Sequence, residues 1–140
     1  MKQLDLLLEA VLYSDALDYL QTHGNPDSNE YLFYLGFIQV HLGWTEEAIE
    51  TLTKHELQVK DNEFEGTVSG LLADIFYNEG MLFDAVNEIS KALKAEPDCP
   101  LIKKKANEIY DDFNGYFLGV VILLATLLSM KKVPPVLKKY

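Results

Sequence analysis

The chain has 140 residues, 49% of them hydrophobic, and a formal net charge of −10, which is enough for one domain with a buried core. Residues 1–100 hold five Lys against nineteen Asp and Glu, residues 101–140 hold seven Lys against three acids, and there is no Arg. Such an acidic body repels polyphosphate and lacks the bidentate phosphate reader, so nucleic acid is not expected as a partner. The one cysteine, Cys99, leaves no internal disulfide and no structural zinc site.

The opening stretch MKQLDLLLEAVLYSDAL carries Asp5 and Glu9 inside its apolar run and lacks a small-residue cleavage site, unlike a signal peptide. Its Leu4, Leu7, Leu8, Val11 and Leu12 fit one face of a helix. Leu32, Leu35, Gly36 and Leu42 then share a face of a helix ending near Gly43. Thr45 reads as an N-cap, with Glu46 and Glu47 in the first turn and Ala48, Ile49 and Leu52 on the buried side. Val68, Leu71, Leu72, Ile75 and Phe76 repeat the first pattern and end at Gly80. Ala85, Ile89, Ala92 and Leu93 repeat the second, which Pro97 stops. A helix opened by Asp98 and Pro100 presents Leu101, Ile102, Ala106, Ile109 and Phe113. No useful strand pattern interrupts the series, so the fold class is all-α.

The two halves align. LFYLGFIQVHLGWTEEAIETL lies over SGLLADIFYNEGMLFDAVNEI, with Gly43 over Gly80 and Ala48 over Ala85, 37 residues apart. Ala16 in YSDALDYL marks a degenerate earlier copy 32 residues before Ala48. With Leu72, Ala73, Phe76, Ala85, Ile89, Ala92 and Pro97 in their slots, residues 66–99 resemble the tetratricopeptide (TPR) repeat of about 34 residues. Ser69 stands in the place of its first aromatic. Residues 29–62 match through Leu32, Leu35, Gly36, Ala48 and Leu52. There Gln39, His55 and Lys60 replace the expected Tyr, Ala and Pro. The resemblance implies a solenoid of helical hairpins over residues 1–113. Its repeats would be a degenerate one at about 1–28, then 29–62 and 66–99, closed by a capping helix at 99–113.

TPR stacks use the concave face formed by the first helix of each hairpin. The resemblance maps that groove onto Phe33, Phe37, Val40 and His41 in the middle repeat, and onto Thr67, Gly70, Asp74, Tyr77 and Asn78 in the next. The Lys, Asn and Arg clamp with which some TPR domains hold a terminal carboxylate is missing from these slots. Two expectations remain open: an apolar groove for a protein or peptide partner, or rings covered by the protein's own N-terminal helix or a neighbouring repeat. No catalytic or metal-binding pattern stands out. His23, His41 and His55 lie in unrelated segments and read as surface or helix-end residues, and Asp111 and Asp112 diverge by about 100° on a helix. An enzyme and a cofactor are not expected.

The last apolar stretch, YFLGVVILLATLLSM, lies within eighteen uncharged residues from Phe113 to Met130. As a helix these span about 27 Å, close to the hydrocarbon thickness. Tyr116 and Phe117 at one end and Lys131 and Lys132 at the other suit two interfaces. Only Thr126 and Ser129 interrupt the apolar surface, so no polar face exists to meet water. The expectation is a transmembrane helix over 114–130 and a basic tail over 131–140, with the body facing the cytosol and insertion following synthesis. This layout resembles the mitochondrial fission adaptor family, whose domain recruits partner proteins to an outer membrane, although that family's dense tail glycines are absent. The expected function is a membrane-tethered, non-enzymatic adaptor. The alternative is a soluble cytoplasmic chaperone of a secretion or assembly system, its apolar tail buried against a partner or in a homo-oligomer.

Overall fold

A computed structural model describes residues 2–58 and 63–129. Among these residues the structure is all-helical, with seven helices and no strand. They are α1 (Lys2–Glu9), α2 (Tyr13–His23), α3 (Asn29–His41), α4 (Thr45–Gln58), α5 (Glu65–Asn78), α6 (Leu82–Ala95) and α7 (Pro100–Ser129). Lys60, Met130 and the basic tail over 131–140 lie outside the described residues. Each helix packs on the next in the chain, and α5 also touches α3 and α7.

Short connections with one local geometry make three hairpins. Gly43 and Gly80 both adopt φ +77°, the left-handed conformation that ends many helices. After α3, Gly43 N–H donates to the Val40 carbonyl at 3.1 Å and Trp44 N–H to that of Gln39 at 2.9 Å. After α5, Gly80 donates to Tyr77 at 3.1 Å and Met81 to Phe76 at 2.8 Å. These paired bonds satisfy carbonyls that the helix leaves open. The same turn closes α1, where Leu12 N–H donates to Leu7 at 2.9 Å and the left-handed position is Val11, φ 60°. Helix α1 therefore stops at Glu9, and Val11 and Leu12 are exposed rather than continuing its apolar face. The tight turn also moves a cap: the Trp44 carbonyl accepts from Ala48 at 2.9 Å, so Thr45 is the first helical residue of α4 rather than its N-cap.

Ala16, Ala48 and Ala85 follow their turns at the same distance, and all three are fully buried. Their small side chains let paired helices approach closely. At Gly36 the approach is closer still, since a Cβ there would lie 2.4 Å from Leu52 Cδ2. The core forms three clusters in series. The first joins Leu4, Ala16, Leu17, Leu20 and Ile38; the second Ala48, Leu52, Val68, Leu72 and Ile75; the third Ala73, Ala85, Ile89, Ala92, Ile102, Ala106 and Ile109. Helix α3 is apolar on opposite sides because it serves two clusters. Tyr31, Tyr34 and Leu35 face the first, Phe33 and Val40 the second.

Pro100 occupies the first helical position of α7, where its missing N–H costs nothing. The cap and the apolar stretch, two elements in the sequence reading, form one unbroken helix. Ile102, Ala106 and Ile109 bury its first half against α6, whereas Leu101 is exposed. Beyond Phe113 the helix leaves the body.

Candidate interaction surface

The α3 residues singled out by the repeat form an aromatic row. Phe33 stacks on Phe64 at 4.3 Å between centroids, Phe37 lies 6.2 Å from Phe33, and His41 lies 4.3 Å from Phe37. Tyr13 of α2 stacks on His41 at 4.6 Å. Phe33 and Val40 are half-buried in the second cluster, so part of the row is packed by neighbouring elements. Phe37 is half-buried outside it, and His41 is exposed with Nδ1 2.8 Å from the Phe37 carbonyl.

The α5 residues meet α7 instead. Asp74 pairs with Lys105 at 2.8 Å, and Lys105 also reaches Glu108 at 3.3 Å. Tyr77 donates its hydroxyl hydrogen bond to Asp112, and the Lys105 ammonium stands 5.6 Å from its ring centre. The Asp112 carboxylate, through that hydrogen bond, raises the Tyr77 pKa. Asn78 is exposed. Between α5 and the start of α7 lies an open cleft of about 410 Å³, with Thr67, Gly70 and Asp74 on one wall and Cys99, Ile102 and Lys105 on the other. A Cβ at Gly70 would meet nothing within 4 Å, so this glycine opens the cleft rather than admitting a helix. The structure thus divides the nine sequence-derived residues: Phe33, Phe37, Val40 and His41 lie on α3, Thr67 and Gly70 line the cleft, Asp74 and Tyr77 are tied to α7, and Asn78 is exposed at the end of α5.

A polar joint escaped the sequence reading. Lys91 of α6 bridges Glu56 of α4 at 2.7 Å and Glu88 at 3.0 Å, and Ser69 of α5 donates to Glu56 at 3.3 Å. Burial, then the adjacent Glu56 carboxylate, raises the Glu88 pKa from 4.5 to about 7. Burial alone would raise Glu56 too, but Glu88, Lys91 and Ser69 outweigh it and hold its pKa below 4.5. The available signal was Ser69 in an aromatic slot: a polar group there needs a polar partner. His55, expected at the surface or at a helix end, lies in the last turn of α4 but is 1% exposed, and neither ring nitrogen has a hydrogen-bond partner among the described residues. Its ring stands edge-on to Phe64 at 6.4 Å. Burial lowers its pKa below 6.5. The repeat register carried this burial, since His55 occupies the slot filled by buried Ala92 one repeat later.

Among the described residues no group of three or more His, Cys, Asp and Glu is arranged to hold a metal. No known family, curated protein or solved structure matches the chain. Among the described residues one helix, α7, is long and apolar enough to cross a membrane, with a mean hydropathy of 1.6 over an 18-residue window of which 0% is buried.

Proposed function

We propose that this chain is a non-enzymatic adaptor: a TPR-like body that captures a protein or peptide partner and is tethered to a membrane by the apolar half of α7. The unburied apolar window of α7 carries the reading. Tyr116, Phe117, Leu118, Val121, Ile122, Leu123, Leu124 and Leu128 are all exposed along one helix, a larger apolar surface than soluble monomers tolerate. A bilayer removes that surface from water. The Thr126 and Ser129 hydroxyls are already satisfied by the helix's own backbone, Thr126 donating to Ile122 at 2.9 Å and Ser129 to Thr126 at 2.8 Å. Hydrocarbon demands such internal pairing.

The three matching turns and the buried alanines that follow them support the TPR-like register. The body faces the cytosol, a reducing compartment that suits the unpaired Cys99. The partner is gripped by Phe37 and His41 on α3 and by the cleft between α5 and α7, near Asn78. Phe33 and Val40 form the packed floor of that surface, and Asp74 and Tyr77 fix the α7 wall.

Carbonate extraction of cells expressing the full chain or residues 1–114 tests the tether. The full chain should stay in the pellet, and the truncated chain should become soluble and folded. A full chain that dissolves without detergent, with a truncation that collapses, makes the helix core. The soluble chaperone, its tail covered by a partner or a second copy, then replaces the adaptor.

A further inference from the structure

The tether leaves the body beside a second apolar feature. Helices α6 and α7 run antiparallel, so the start of α6 lies level with the point where α7 leaves the body. Phe83 of α6 meets Phe113 of α7 edge-on, 5.3 Å between centroids at 83°. Phe83 is 69% exposed and Met81, in the turn before α6, is 44% exposed. Phe117 is 61% exposed and lies one turn beyond Phe113 on the same face of α7. An apolar corner thus continues directly into the apolar half of the helix, and Phe113 is where the uncharged run begins.

We propose that the α5–α6 corner, through Met81 and Phe83, is a second membrane contact that wedges into the lipid interface and holds the body in a fixed pose on the bilayer. The proposal rests on the tether reading. With α7 across the bilayer, Phe113 and Phe117 occupy the interfacial zone where aromatic side chains collect, and the contact with Phe113 brings Phe83 to that level. Lipid headgroups then cover two large side chains that the body leaves in water. Charge selects the lipid. Glu79, Asp84 and Asp111 are exposed around the corner and Asp112 lies beside them. Lys105, further up α7, is already paired with Asp74 and Glu108. An acidic rim is repelled by anionic headgroups but can face the outward ammonium of a zwitterionic headgroup. The occupant is therefore a zwitterionic lipid surface.

The test uses full-length protein in phosphatidylcholine vesicles with brominated acyl chains. Trp44 is the one tryptophan, so Trp44→Phe gives a silent background. In that background Phe83→Trp should emit at shorter wavelength and lose intensity to bromine. Leu57→Trp, at an exposed position of α4, should do neither. Replacing half of the phosphatidylcholine by phosphatidylserine should weaken the quenching at position 83. Protein that floats with vesicles while position 83 stays unquenched overturns the wedge and leaves the tether standing. Quenching that phosphatidylserine does not weaken overturns the lipid assignment. Protein that does not float with vesicles overturns tether and wedge together.

Discussion

Val11 carries a strain that its two counterparts avoid. It is β-branched yet holds the left-handed position occupied by Gly43 and Gly80 in the other turns, where a side chain costs roughly 1–2 kcal/mol. Glycine brings an entropy penalty of roughly 0.5–1 kcal/mol. Val11→Gly should therefore raise stability by about 0.5–1 kcal/mol, read as a higher denaturant midpoint at unchanged slope. Gly80→Val should do the reverse. Two buried titrating groups act in opposite directions. Glu88 is raised to about 7, so the folded state holds a proton that the unfolded state has released, and stability falls as pH rises from 4.5 through 7. The slope is at most ~1.4 kcal/mol per pH unit. His55 is lowered below 6.5, so the unfolded state takes up a proton first and stability falls as pH drops below 6.5. The unfolded-state titration of His55 around 6.5 overlaps that of Glu88, so urea unfolding of the wild type and of Glu88→Gln is compared from pH 4.5 to about 7, and the difference between them reports Glu88. Over that range Glu88→Gln should remove the loss of stability on alkalinisation.

At the scale of the helix pair, the fully buried alanines set how closely hairpins close. Ala85 is fully buried in the cluster that holds Ala73, Ile89 and Ala92. Ala85→Leu should overpack this contact and cost roughly 1–3 kcal/mol, and Ala48→Leu should cost a similar amount by thermal denaturation. If both variants melt with the wild type, the alanines do not set the helix approach and the repeat register is wrong. On α3 the cost divides by face. Phe33→Asp places a carboxylate against Phe64 within the second cluster and should lower the melting temperature. Phe37→Asp, outside that cluster, should keep helicity by circular dichroism and lose partner capture.

For the whole molecule, α7 is two physical objects in one helix. Its first half is bound by Ile102, Ala106 and Ile109 and by Ser90, whose Oγ lies 2.8 Å from the Tyr110 hydroxyl. Its second half is unburied among the described residues. Removing residues after 114 should therefore leave the stability of the body within about 0.5 kcal/mol of the full chain in detergent, by chemical denaturation. Ile109→Ala should cost roughly 2–5 kcal/mol, because it opens a cavity in the third cluster.

The amino-acid order alone determined the all-helical character, the hairpin spacing and the apolar stretch. These follow from local rules: glycines at turns, proline at stops, and apolar residues spaced at the helical period. The register even placed Ala16, Ala48 and Ala85, because small residues recur wherever helices must touch. Tertiary structure decided what lay between repeats. Whether Phe33 was open or covered depended on Phe64 arriving from α5, and the engagement of Asp74 and Tyr77 depended on Lys105 and Asp112 arriving from α7. His55 and the Glu56–Glu88–Lys91 joint show the same dependence. Burial and charge pairing are set by residues distant in the chain, and helical periodicity reports one face of one helix without naming what lies against it.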